Sequence, residues 1–216
     1  MPIGLLRFLA VIIFSYFLGS IPFGVIISRL FKGIDVREYG SKNIGFTNVF
    51  RVVGILPAVI VLILDMGKGV LSILLVSQIV SSQVPLSLTL VKIGAGIFVI
   101  LGHIFPIFAN FRGGKGVATA AGVLLALVPS EFILILVIFI LIVSFTRYIS
   151  LGSLISSLFL PLILTFEKCY LKKAIPIELI IISLILCFLI FYTHRQNIKR
   201  LLRGTENKFG KKDKRI

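Results

Sequence analysis

Three short segments of this 216-residue chain hold most of the residues that could do chemistry. The first is Gly40-Ser41-Lys42-Asn43-Ile44-Gly45-Phe46-Thr47-Asn48-Val49-Phe50-Arg51. Its glycines, Gly45 among them, let a backbone approach a ligand closely, and free amides at a helix start favour an anion. Ser41, Asn43, Thr47 and Asn48 add hydrogen-bonding side chains, and Arg51 offers a bidentate fork for phosphate. The same composition also suits a plain polar loop with a helix cap.

The second segment is Gly102-His103-Ile104-Phe105-Pro106, followed by Phe111-Arg112-Gly113-Gly114-Lys115-Gly116-Val117-Ala118-Thr119. It is not a Walker loop, because Asn110 and Gly116 stand where that pattern needs Gly and Ser or Thr. Gly113, Gly114 and Gly116 around Lys115, at a helix start, still make an anion nest. A basic loop that only sets membrane orientation is the plainer alternative. The third segment is His194-Arg195-Gln196-Asn197-Ile198-Lys199-Arg200-Leu201-Leu202-Arg203-Gly204-Thr205-Glu206. His194 and Asn197 are three apart and share a helix face, with Arg200 continuing near it. A lone histidine at a membrane edge is more often structural or interfacial than catalytic. Ser150, in the turn Thr146–Ser153, is a helix-cap candidate. No carboxylate pair, metal cluster or serine triad is visible. Cys169 and Cys187 form no motif. The inventory fits binding of phosphate-bearing molecules better than hydrolysis by a metal or by paired acids.

The elements that must position these segments are membrane helices. The chain is 58% hydrophobic, with a mean hydropathy of +1.12. A soluble domain is about 45–50% apolar by a similar count. Apolar runs predict an all-α integral membrane protein of about seven spans, near 5–30, 53–80, 88–109, 116–128, 131–146, 149–166 and 176–194. The first run is too long for a signal peptide and reads as a retained span. Asp65 and Lys68 lie one turn apart inside the second and can pair there. Seven spans put 17 of the 23 basic residues on one side and 4 on the other. The N-terminus is then outside and the C-terminus cytoplasmic. All three segments fall on the cytoplasmic side, which only an odd count allows. Residues 1–194 read as the transmembrane catalytic domain, and 195–216 as a basic cytoplasmic segment whose start joins the site. The net charge of +15 lies between apolar runs, so it points to orientation and anionic ligands, with no nucleic-acid partner expected. A monomer is compatible with the sequence.

At this point the segments resemble a known family. The first is similar to the S-G-N-x-G-x-T-N segment of the PlsY family, the bacterial acyl-phosphate:glycerol-3-phosphate acyltransferases. The second is similar to G-H-x-x-P … F-x-G-G-K-G-V-A-T, and the third to H-x-x-N-I-x-R-L-x-x-G-x-E. Gly19–Gly24, Asp65 with Lys68-Gly69, and Ser150 to Ser153 also match. Lys42 stands where the family usually has Gly, and Phe46 where it has Ala. The resemblance implies transfer of a fatty acyl group from acyl phosphate to the 1-hydroxyl of sn-glycerol 3-phosphate, giving lysophosphatidate and phosphate. This is the first acylation of phospholipid synthesis, in the bacterial inner membrane, with no cofactor and no metal. It implies His194, Asn197, Lys115 and Ser41 as catalytic residues. His103, Thr119, Ser153 and Glu206 join Asn43, Gly45, Thr47, Asn48, Arg51, the three nest glycines, Ser150 and Arg200 as substrate-binding residues. Either His194 or a substrate phosphate oxygen is the base.

Two other functions use the same features. A transporter for a phosphorylated metabolite would explain basic loops and intramembrane charges, but the chain lacks two matching halves. A scaffold binding anionic lipid through the tail leaves the glycine motifs unexplained.

Overall fold

Pro22 interrupts the first apolar run, so it folds as two helices, α1 (Ile3–Ser20) and α2 (Phe23–Lys32). The computed structural model describes residues 3–79 and 87–210. Residues 211–216, which carry the last basic residues of the C-terminal segment, lie outside the described residues, as do 80–86. The remaining α-helices are α3 (Phe46–Val52), α4 (Ile55–Ile79), α5 (Leu88–Ile104), α6 (Val117–Leu127), α7 (Pro129–Thr146), α8 (Ile149–Cys169), α9 (Ile177–Thr193) and α10 (Arg195–Leu202). Short 3₁₀ turns cover Val36–Glu38 and Ile107–Ala109.

The fold is that of an all-helical membrane protein. Phe145, Leu30 and Phe188 are 86%, 74% and 73% exposed, whereas Ser15, Asp65, Lys68 and Ser72 are buried. Large apolar side chains outside and polar ones inside suit lipid rather than water. Among the described residues, five segments are long and apolar enough to cross: Gly4–Lys32, Ile55–Val76, Leu88–Ala109, Pro129–Thr146 and Ile149–Cys169. A sixth arises if α9 and α10, bent by 63°, count as one. The span expected over 116–128 is the 11-residue α6. At about 1.5 Å per residue it reaches little more than half of a core about 30 Å thick.

The chain divides at Leu127–Val128 into two compact units. In the first, α1 packs on α5 and α4 on α6. Lipid gives no hydrophobic drive between helices, so close backbone contact must hold them. Gly69 and Gly122 provide it on α4 and α6: a Cβ on either would overlap the partner helix backbone. The Ser72 hydroxyl adds bonds to Ser15 Oγ (3.0 Å) and the Ala95 carbonyl (3.3 Å), joining α1, α4 and α5. In the second unit, α8 packs on both α7 and α9. Arg147 makes the α7–α8 turn at φ 62°, its amide bonded to the Val143 carbonyl. A buried carboxylate pair that was not visible in the sequence forms here. Glu131 lies beside Glu167, and the Lys173 ammonium is 2.5 Å from Glu167 Oε1. They sit near the C-terminal end of α8, away from Ser150 at its N-terminal end.

Candidate active site

In the first unit, the Ser41–Arg51 segment wraps around one side chain. Asn48, 1% exposed, lies in the first turn of the short helix α3 and points back into the loop. Its Nδ2 donates to the carbonyls of Val36 (3.1 Å), Tyr39 (3.1 Å) and Asn43 (2.9 Å). Its Oδ1 accepts the Ser41 amide at 2.8 Å. Asn43 in turn accepts the Gly45 amide at 2.9 Å. Asn48 and Asn43 therefore shape the loop backbone. Ser41 is exposed, while Thr47 and Arg51 are partly exposed and, four apart, share one face of α3. Among the described residues no ion pair engages Arg51, which leaves its fork available to an anion.

Lys42 and Phe46, the two departures from the family pattern, acquire physical readings. Lys42 sits at φ 60°, the left-handed region where glycine is at ease. Phe46 stacks on Phe50 with centroids 6.3 Å apart and packs against the buried cluster of Val36, Ile44, Val49 and Val52.

The glycine-rich turn folds back onto the end of α5. The Gly114 amide donates to the His103 carbonyl at 3.0 Å. A side chain at Gly114 would collide with the His103 imidazole, and one at Gly113 with the His103 and Ile104 carbonyls. Gly116, at φ 84°, starts α6 and accepts the Ala120 amide at 2.7 Å. His103 is thus buried behind the turn, at 3% exposure, with Asp65 and Lys68 beyond it. Thr119 is fully buried where α6 meets α4 beside Gly69. Lys115 is partly exposed at the tip of the turn.

Two residues that the sequence reading used only for charge counting or not at all tie the two loops together. Asp35 Oδ1 and Oδ2 accept from Arg37 Nε (2.9 Å) and Nη2 (2.7 Å). Arg37 Nη1 then donates to the Ala109 carbonyl, 72 residues away, at 3.0 Å. The Arg37 hydrogen bond holds the Asp35 carboxyl far below the usual carboxylate range, against a smaller opposing effect of burial. The D-x-R spacing was the available signal; Ala109 had none.

In the second unit one carboxylate is the hub. Glu206, its side chain 7% exposed, accepts from Ser150 Oγ (3.0 Å) and Asn197 Nδ2 (2.7 Å) on Oε1. Arg200 Nε donates to Oε2 at 2.7 Å. Burial alone would raise its pKa, but hydrogen bonds from Arg200, Asn197 and Ser150 bring it below the ordinary value. Ser153 spends its hydroxyl hydrogen on the Ile149 carbonyl one turn back, at 3.0 Å. His194 forms the α9–α10 corner at 2% exposure. Its Nδ1 lies 2.8 Å from the Ile190 carbonyl. A carbonyl can only accept, so Nδ1 carries a proton, and in the neutral ring Nε2 is the basic nitrogen. That is the tautomer a general base requires.

The fold and these loops define a membrane protein equipped for phosphate-bearing molecules. Comparison with known proteins narrows the class. Residues 9–204 match the family model described as glycerol-3-phosphate acyltransferase. A glycerol-3-phosphate acyltransferase of Chlorobaculum tepidum is 37% identical over 97% of this chain and 100% of its own. One from Fusobacterium nucleatum is 43% identical over 94% of this chain and 99% of its own. Crystal structures of PlsY (YgiH), an integral membrane glycerol 3-phosphate acyltransferase, are 37% identical and cover 94% of this chain. The glycerol 3-phosphate form covers 96% of that chain with a TM-score of 0.82, and the lysophosphatidic acid form 95% with 0.80. The chain belongs to the glycerol-3-phosphate acyltransferase family.

Proposed function

We propose that this protein moves a fatty acyl group from acyl phosphate to the 1-hydroxyl of sn-glycerol 3-phosphate, releasing lysophosphatidate and inorganic phosphate. The observation that carries the reading is full-length similarity, at 37% identity, to an enzyme solved in both a glycerol 3-phosphate form and a lysophosphatidic acid form. The hydroxyl oxygen attacks the acyl carbonyl, the C–O bond to phosphate breaks, and the hydroxyl proton goes to a base. Phosphate is a good leaving group, so no strong acid is needed. Lys115, Arg51 and the amides around Gly113, Gly114 and Gly116 hold phosphate and offset charge on the carbonyl and leaving group. Ser41 and Thr47 orient substrate on the loop that Asn43, Gly45 and Asn48 shape, and Thr119 anchors the start of α6 behind the nest. Ser150, Ser153, Asn197, Arg200 and Glu206 form the polar setting of His194. The Nδ1–H tautomer of His194 supports it as the base; a substrate phosphate oxygen is the alternative acceptor.

The basic-residue bias supports a cytoplasmic face for this chemistry in the bacterial inner membrane, with the N-terminus outside. In that reading α6 is a short crossing, and 195–216 is a cytoplasmic segment contributing its first residues to catalysis. Purified protein in detergent, given palmitoyl phosphate and labelled glycerol 3-phosphate, should form lysophosphatidate. No product from folded protein would overturn the proposal.

A further inference from the structure

Behind the glycine turn lie three buried side chains: Asp65 and Lys68, which have no part in the chemistry above, and His103, which the family resemblance places among the substrate-binding residues. Lys68 and Asp65 on α4 are each 2% exposed, and His103 on α5 is 3% exposed. Lys68 Nζ lies 2.8 Å from Asp65 Oδ1, 2.9 Å from the Gly19 carbonyl, 2.9 Å from His103 Nδ1 and 3.3 Å from the Ile21 carbonyl. Paired with the Asp65 carboxylate, Lys68 is the ammonium, which has three protons and no lone pair. Asp65 and Gly19 take two protons. The third goes to His103 Nδ1, which is closer than Ile21. A protonated Nδ1 at that distance would set donor against donor. His103 is therefore neutral, with its proton on Nε2.

That edge of the ring occupies the space a side chain at Gly114 would need. The same residue's carbonyl accepts the Gly114 amide at 3.0 Å. The turn presenting Lys115 thus rests on His103 twice, and the ring's orientation is fixed from behind by Lys68 and Asp65. Burying an ion pair in a membrane helix bundle is costly, and plain helix packing does not need this one, since the neutral Ser72 hydroxyl already joins α4 to α1 and α5.

We propose that Asp65 and Lys68 are positioning residues for acyl transfer, acting through His103 to hold the glycine turn and Lys115 in register. The inference rests on the acyltransferase reading, and its test separates the two. The double variant Asp65→Leu/Lys68→Met removes both charges together and leaves no orphaned ion, a change that usually preserves folding. With wild-type-like thermal unfolding in detergent, its kcat/KM for acyl phosphate should fall at least about tenfold, the scale expected when a catalytic group is misplaced. In a His103→Phe background, Asp65→Leu/Lys68→Met should then cost less than about twofold, because the route is already cut. A folded double variant within twofold of wild type would overturn the proposal, as would an undiminished loss from the same pair of substitutions in the His103→Phe background. Independently of activity, ¹⁵N spectra of His103 in the wild-type protein should show Nδ1 unprotonated and Nε2 protonated; the opposite tautomer also overturns it. An inactive wild type with the expected tautomer would instead count against the acyltransferase reading.

Discussion

The two units organise their motif residues by different means. In the first, side chains are spent on the backbone: Asn48 binds three carbonyls and an amide, Arg37 reaches the Ala109 carbonyl, and Lys68 binds the Gly19 carbonyl. In the proposed function the groups that meet the ligand there are the turn amides, Arg51 and Lys115. In the second, side chains bind each other, with Ser150, Asn197 and Arg200 gathered on the Glu206 carboxylate. The first arrangement fixes a loop shape and is indifferent to pH near neutrality. The second depends on one group staying ionised. Shape is what phosphate binding by a nest demands, and an ionised hub is what keeps polar side chains oriented around a histidine.

The largest expected effects come from the one chemical group each arrangement presents. Lys115→Ala should lower kcat by about 10²–10³ or more, the range for losing a transition-state charge stabiliser. Near-normal turnover would remove the nest assignment from the first unit. His194→Ala should cost about 10²–10⁴ if the imidazole is the base. A loss below about tenfold, in a folded variant, gives the proton to a substrate phosphate and leaves His194 a structural corner.

How much of this was legible in the sequence follows the same divide. Apolar runs marked 53–80 and 149–166, found as Ile55–Ile79 and Ile149–Cys169, because lipid exposure writes itself into composition. Asp65 and Lys68 were legible as a pair because they lie on one turn. Their third partner, His103, is 35 residues away, and no local period encodes that distance. The same holds for Glu206 and Ser150, 56 apart. The break at Pro22 and the bend at His194 went unread because both sit inside continuous apolar or amphipathic runs. The run 116–128 is the shortest of the seven expected spans, and it folds as the 11-residue α6. The motif residues were found by type and spacing, but their division into loop-shaping and ligand-facing groups needed coordinates, as Asn48 shows.

Removing each hub tests the contrast directly. Asn48→Ala strips one amide and one acceptor from four backbone groups in a buried setting. It should destabilise the protein by about 2–4 kcal/mol, since each orphaned buried polar group costs about 1–3. Thermal unfolding in detergent should show the loss equally at pH 5 and pH 8. Glu206→Gln should cost less, about 1–2 kcal/mol, by weakening charge-assisted bonds. Its effect should vary with pH. The folded carboxyl is held below its ordinary value of 4.5. Its stabilising contribution is therefore whole above about that pH and fades as pH falls through the lowered value. Wild type should lose stability relative to Glu206→Gln on acidification below pH 4.5. A parallel pH dependence for both proteins would show that the carboxylate is not the hub of the second unit.

The smallest effect sharpens the first unit's rule that backbone shape governs its loop. Lys42 holds φ 60° with its amide bonded to the Tyr39 carbonyl at 2.9 Å. A side chain in this region costs roughly 1 kcal/mol or a little more, and glycine gives back part of that through unfolded-state entropy. Lys42→Gly should therefore stabilise the protein by about 0.5–1 kcal/mol. If the lysine serves only as a tolerated strain, KM for glycerol 3-phosphate should stay within about twofold, the loop shape being unchanged. A larger rise in KM, relieved at high salt, would mean that the Lys42 ammonium attracts the phosphate. The first unit would then use an exposed side-chain charge where the family pattern uses bare backbone, and its contrast with the second unit would narrow to Asn48 and the glycine turn.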